Sequence, residues 1–161
     1  MKSLLLTLGV FVIGCQLMSP SVWGEETTQQ KRSRLIGKLN NNLLNTHNRE
    51  RQRNGRRPFI LDKRLTAAAQ KHADWMANNS NLSHTGKNGS SPSRRVGSGF
   101  NGIGENIAFG QSGYNEVTRD WMNSSGHRAN ILGGYNTVGF GAAKAKNGRI
   151  YWCAVFGNCN F

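Results

Sequence analysis

The last strand-like stretch of the chain, residues 149–156, is apolar on both of its alternating faces. Ile150, Trp152, Ala154 and Phe156 fall on one side, and Tyr151, Cys153 and Val155 on the other. Successive side chains of a strand point to opposite faces of a sheet, so a strand of this composition needs covering layers above and below. Its partner is residues 137–143, because Lys146-Asn147-Gly148 lies between the two runs and Asn-Gly in that place signals a hairpin. The covering layers read as helices. Leu65, Ala68, Ala69, His72, Ala73 and Met76 recur at i, i+3, i+4, i+7, i+8 and i+11, one face of a helix that Asp62 can cap. Ile36, Leu39, Leu43, Leu44 and His47 mark another, stopped by Asn54-Gly55. A third, Tyr114–Asn123, buries Val117 and Trp121. Residues 56–61 read as an extended connector, and 80–104, rich in Ser, Gly, Asn and Pro, as a long loop of the functional or mobile kind. Three helices and few strands predict an α+β chain layered α/β/α.

Residues 1–24 read as an export signal. Lys2 precedes the apolar run 4–13, which suits a signal h-region and is too short to span a bilayer. Two processing routes are open. Val22-Trp23-Gly24 would leave a mature chain starting at Glu25, whereas Val12-Ile13-Gly14-Cys15 resembles a bacterial lipobox and would leave a lipidated Cys15. Residues 25–35 read as a polar tether, so the folded domain is expected over 36–161 with no transmembrane segment in the mature chain. Either route removes Cys15 from the count of free thiols. Cys153 and Cys159 remain, an even pair in an oxidising compartment, which predicts a disulfide; the alternative is two inert buried thiols. With 21 Lys+Arg against 8 Asp+Glu, the formal net charge is +13. Such a balance favours anionic surfaces, among which charge alone does not choose; the partners expected are an anionic cell-envelope polymer or lipid headgroups, and not nucleic acid.

Four segments carry the chemistry. They are Leu82-Ser83-His84-Thr85-Gly86, then Gly104-Glu105-Asn106-Ile107-Ala108, then Trp121 with Gly126-His127-Arg128-Ala129-Asn130-Ile131-Leu132, then Tyr151-Trp152 with Phe156-Gly157. In this order and spacing, with His47-Asn48-Arg49-Glu50-Arg51 in the first helix, they resemble the CAP superfamily (SCP domain) in its bacterial form. That fold is shared by cysteine-rich secretory, antigen-five and pathogenesis-related proteins, and the resemblance runs from about Leu43 to Gly157. It implies a three-layer α/β/α sandwich with a central, mainly antiparallel sheet. It also implies an open cleft that, in animal and plant members, holds two His and two Glu, in some cases with a divalent metal. Carried over by motif, His84, Glu105 and His127 take three of those positions, and the fourth, three residues after the helix Trp, is Ser124 rather than Glu. Glu116 is eight residues earlier, about 12 Å along a helix, and reads as a helix N-terminal carboxylate.

Two imidazoles and a carboxylate form a minimal zinc-type set with a position left for water, which could attack a carbonyl or phosphoryl group. Without metal the same groups hydrogen-bond a polar ligand, or brace the cleft as a satisfied network. Three functions therefore compete: a secreted binding module for a divalent metal or a small polar or lipid ligand, a metal-assisted hydrolase of peptide, ester or phosphodiester bonds, and a structural envelope protein. No nucleophile elbow, oriented Cys-His pair or complete zinc-protease motif occurs, and the missing second Glu removes the obvious general base. Binding leads, and no residue is assigned to catalysis. His72 and His47 are expected as packed core histidines, and Trp75, Trp121 and Trp152 as core. The basic run 49–57 is expected as a solvated helix face, with Arg51 structural if it turns inward to a carboxylate. Gly102, Gly104 and Gly110 are expected to supply unusual dihedrals near the cleft. Intact-mass measurement of exported protein should show residues 1–14 removed, with the chain starting at Glu25 or at an acylated Cys15; an exported pool that keeps Met1 would overturn both routes.

Overall fold

The computed structural model describes residues 26–159; the export signal, Cys15 and Glu25 lie outside them. Four strands form one sheet: β1 (Ile60–Leu61), β2 (Ile103–Phe109), β3 (Thr137–Lys144) and β4 (Ile150–Gly157), in the order β1-β3-β4-β2. β4 is antiparallel to both β3 and β2, and β1 runs parallel to β3 at Ile60–Thr137 and Leu61–Val138. The two apolar faces of β4 sort the core. Trp152, Ala154 and Phe156 enter one cluster with Leu43, Trp121 and Ile131, and Tyr151, Cys153 and Val155 enter another with Leu65, Ala73 and Met76. α1 (Thr28–Arg53), α4 (Tyr114–Asn123) and α5 (Ser125–Leu132) cover the first, and α2 (Lys63–Asn79) with the short α3 (Pro92–Val96) covers the second. The result is the expected α+β three-layer sandwich around a mainly antiparallel sheet.

α2 starts where the Asp62 carboxylate accepts from the backbone N–H groups of Arg64 and Leu65, a cap worth about 1 kcal/mol. It then lies directly on β3. A Cβ at Gly139 would fall 2.0 Å from the Thr66 nitrogen, and one at Gly141 would fall 2.4 Å from the Gln70 Cα. Beyond the two residues paired with β1, the outer edge of β3 is closed by side-chain amides, which spares it open backbone groups. Asn40 of α1 donates to the Phe140 carbonyl and accepts from its N–H at 3.1 and 3.0 Å. Gln70 of α2 does the same for Ala142 at 2.8 and 3.2 Å.

Arg51 does turn inward, to 4% exposure, but it meets carbonyls instead of a carboxylate. Its Nε donates to the Arg57 carbonyl at 2.6 Å, Nη1 to those of Ile131 at 2.6 Å and Gly133 at 3.1 Å, and Nη2 to that of Tyr135 at 3.1 Å. The last carbonyls of a helix have no intrahelical partner, and the planar fork of Arg reaches several at once.

One expectation is corrected and another is not met. From Thr28 the tether is helix, held by a capping box between Thr27 and Gln30 and by the Arg32–Asp74 and Arg34–Glu26 ion pairs at 2.6 and 3.1 Å. No disulfide joins Cys153 to Cys159. By Gly157 the extended β4 has already travelled about 13 Å from Cys153, and the chain runs on, with the Cys159 N–H and carbonyl bonded to the Asn136 side chain. The Cα atoms of a disulfide, by contrast, lie within about 7 Å. The Cys153 thiol instead donates to Glu105 Oε2 at 3.5 Å.

Two measurements follow from this packing. Gly139→Ala should cost about 3 kcal/mol or abolish folding, because the obstruction is backbone. Gly37→Ala in α1, where nothing lies within 4 Å, should add about 1 kcal/mol; urea midpoints decide both. His47 is fully buried against Trp121 and Phe140 with Nδ1 2.8 Å from the Leu43 carbonyl, and burial lowers its pKa to about 4. The unfolded chain therefore takes the proton first. Its contribution is complete above about pH 6.5 and is lost as pH falls through about 4, a change of about 3 kcal/mol. Denaturant midpoints at pH 7.5 and 4 should show the loss, and His47→Phe should shrink it.

Candidate functional site

β2 is the edge strand on the far side of β4, and its alternation divides the site. Ile103, Glu105 and Ile107 face α2, while Gly104, Asn106 and Ala108 face α5; Glu105 lies opposite Val155 in the register. The Glu105 side chain is 2% exposed. Its Oε1 accepts from His84 Nδ1 at 2.8 Å, with His72 Nε2 3.9 Å away. Its Oε2 accepts from Arg95 Nη2 at 2.5 Å and from the Cys153 thiol. Arg95 also donates Nη1 to the carbonyls of His84 at 3.0 Å and Ser90 at 2.7 Å. One guanidinium thus fixes both the carboxylate and the loop that carries the histidine. The His84 side chain is 57% exposed, so with Nδ1 turned inward, Nε2 is its outward atom.

His72 packs in the core as expected, stacked 5.7 Å from Trp75 and donating Nε2–H to the Ser83 carbonyl at 2.8 Å. It also walls Glu105, a role its place on the α2 stripe did not reveal. Burial lowers its pKa, so the ring is neutral near pH 7.

His127 stands on α5, which is tied to β2 by two asparagines. Asn106 Nδ2 donates to the His127 carbonyl at 3.0 Å, and Asn130 Nδ2 donates to Asn106 Oδ1 at 2.8 Å. Partial burial lowers the His127 pKa, and repulsion from His84 lowers it further. The fold therefore puts His84 and Glu105 in direct contact and His127 within electrostatic reach of His84. Ser124 is the junction of α4 and α5, where its N–H donates to the Trp121 carbonyl at 3.3 Å and its carbonyl accepts from Arg128 at 2.8 Å. Glu116 sits in the first turn of α4 as expected and accepts from the Ser112 N–H and hydroxyl at 2.8 and 2.7 Å. Gly102 and Gly110 flank β2 with φ of 84° and 97°. Gly104 is needed for a different reason than dihedral freedom: a Cβ there would come within 2.8 Å of Tyr135 Oη.

As three direct ligands to a metal, His84, Glu105 and His127 do not fit. Both oxygens of Glu105 are buried and committed to Arg95 and His84, and among the described residues no group of three or more His, Cys, Asp and Glu is placed to hold a metal ion. Glu105 is arranged as the group that orients His84. Arg95 escaped the sequence reading. Ser91-Pro92, a cap followed by a first-turn proline, signals the short α3 that presents it, but a contact ten residues away has no periodic trace.

The sequence profile described as "CAP: Cysteine-rich secretory protein family" matches residues 44–156. "Uncharacterized protein YkwD" of Bacillus subtilis (strain 168) is 35% identical over 107 residues, which cover 65% of this chain and 41% of that protein, so the chain spans less than half of that relative. An extracellular protein containing a SCP domain from Bacillus anthracis str. Ames superposes with a TM-score of 0.70 at 23% identity, covering 84% of this chain and 45% of that one. An outer surface protein from Borrelia burgdorferi does so with a TM-score of 0.65 at 20% identity, covering 83% and 96%. At such identities the two structures share the fold alone; the profile match across the His84, Glu105 and His127 segments goes further. This chain belongs to the CAP, or cysteine-rich secretory protein, family.

Proposed function

We propose that this CAP domain is a binding module acting outside the cytoplasm, and that it captures a small polar ligand at the outward edge of His84. One contrast carries the reading: an exposed imidazole is anchored to a carboxylate that is 2% exposed. Burying Glu105 costs several kcal/mol of desolvation, offset only by well-made bonds to partners such as the mostly covered Arg95. Those bonds converge on the ring and carbonyl of His84. The outward Nε2 accepts a hydrogen bond when the ring is neutral and donates one when it is charged. A neutral His127 beside it supplies a second such edge. Hydroxyl, carboxylate and phosphate groups suit this pair.

Binding is favoured over turnover. Among the described residues the side chain bonded to His84 is Glu105, not a hydroxyl or thiol. The Cys153 thiol touches Glu105, but burial pushes its pKa well up, which leaves it a poor nucleophile. The location rests on the export signal read at 1–24 and on the extracellular and outer-surface descriptions of the two structural relatives.

Titrating isotope-labelled protein with small sugars, carboxylates and phosphates, followed by NMR, tests the reading. Bound compounds should shift the ring signals of His84 and His127. His84→Ala should weaken binding at least tenfold, or about 1.4 kcal/mol. It should also lower the unfolding midpoint, through the cost of about 1–3 kcal/mol that an unpartnered Glu105 oxygen carries, so binding is compared where both proteins are folded. Compounds that move neither ring, or that bind His84→Ala equally well, would sink the proposal.

A further inference from the structure

The end of α1 carries arginines that the cleft does not use. Arg49 and Arg53 are four residues apart on one helix face, about 6 Å along the axis, and Arg56 and Arg57 follow in the exposed turn. Three open concavities pass them in series. The first, about 500 Å³, lies between α1 and α4 and is lined in part by Arg49, Arg53, Arg119 and Asn123. The second, about 520 Å³, is lined in part by Asn45, Arg49, Gln52 and Arg56. The third, about 570 Å³, is lined in part by Arg56, Arg57 and Asn136. Arg49 borders the first two and Arg56 the last two, so the three make one track with a guanidinium at each junction.

The charge along this track is unbalanced. Glu50 engages Arg53 at 2.7 Å, and Asp120 lies 3.7 Å from Arg119. Among the described residues no carboxylate reaches Arg49, Arg56 or Arg57 within 4.0 Å. Burial lowers the pKa of Arg51, and the nearby charge of Arg56 lowers it further. Like charges crowded without a counter-charge are a standing cost that a bound anion relieves.

We infer that this track is an electrostatic surface for a linear phosphodiester polymer of polyol or sugar units, separate from the His84 cleft. Its length suits a chain of anions rather than one ion. Arginine pairs with phosphate through two parallel bonds, and the intervening amides of Asn45, Gln52 and Asn123 suit hydroxyl groups. The lining argues against the two rival polyanions. Of the exposed large apolar residues Leu35, Ile60, Leu82 and Phe109, Ile60 alone reaches the track, which gives a lipid surface little to hold. Tyr135, which also lines the third concavity, is stacked on Phe156, so it offers no platform for a nucleic-acid base.

The test uses fluorescently labelled poly(glycerol phosphate) and the folded domain, with anisotropy measured over a range of salt. Arg49→Gln with Arg56→Gln should weaken binding at least tenfold and reduce the slope of log affinity against log salt by about 1.5, for two lost phosphate contacts. Lys144→Gln with Lys146→Gln removes the same charge from exposed positions at the other end of β3. That variant should lose less than about threefold and keep its slope, because it gives up only long-range attraction. Equal losses in the two variants would reduce the effect to net charge and overturn the track. Absence of wild-type binding would also overturn it, as would equal or tighter binding to anionic phospholipid vesicles or single-stranded DNA. His84→Ala should bind the polymer like the wild type, which separates this outcome from that of the cleft.

Discussion

The backbone of α2 rests on the backbone of β3 at Gly139 and Gly141, and the positions of His84 and Glu105 follow from that contact. Seated there, α2 carries His72 inward over the sheet and delivers the chain, through Ser83, to His84. From β3 the ladder passes through β4 to β2, so the same contact fixes where Glu105 stands relative to α2. Two routes through the chain meet at the bond between His84 and Glu105, and both start from one glycine-lined approach. A side chain at either glycine would separate the layers and pull the imidazole away from its carboxylate.

Polar groups do unusual service in a core of this size. Asn40 and Gln70 reach β3 from opposite helical layers and complete its edge in place of a longer β1. Glu105 is buried against the mostly covered Arg95, whose remaining bonds go to the loop over α2. Each bond in these networks narrows the arrangements available to its surroundings, because an unpartnered buried group is costly. Rigidity at the cleft therefore comes from hydrogen bonds laid over an apolar core, and His84 gains a fixed orientation while keeping most of its surface in water.

Legibility in the sequence followed the range of the interaction. The α2 stripe, the limits of α4 and the two faces of β4 are all periodic over a few residues, and the structure has them where the pattern puts them. The residue motifs pointed to His84 and Glu105, which touch, and to His127, which lies near them. What escaped has no local signature. The first turns of α1 lack an apolar stripe and depend on caps and ion pairs, one of them to Asp74 on another helix. The expected disulfide rested on cysteine count, which ignores that six residues of mostly extended chain keep Cys153 and Cys159 apart. Arg95 joins the site by an ion pair that composition cannot announce, and β2 shares its apolar positions with glycine and polar residues that serve neighbouring elements.

Arg51 has a consequence for the order in which the molecule is assembled. α5 has eight residues and no side-chain cap at its start, and a helix that short does not persist in water alone. Its final carbonyls are satisfied by a guanidinium supplied from 80 positions earlier in the chain. The helix that presents His127 is thus completed only when α1 has docked, and an excursion of α1 from the sheet uncaps it. Arg51 couples the two helices, and hydrogen exchange in α5 is expected to follow the docking of α1. A domain with its cleft assembled in this way keeps His127 contingent on a helix that contributes nothing to the contact between His84 and Glu105.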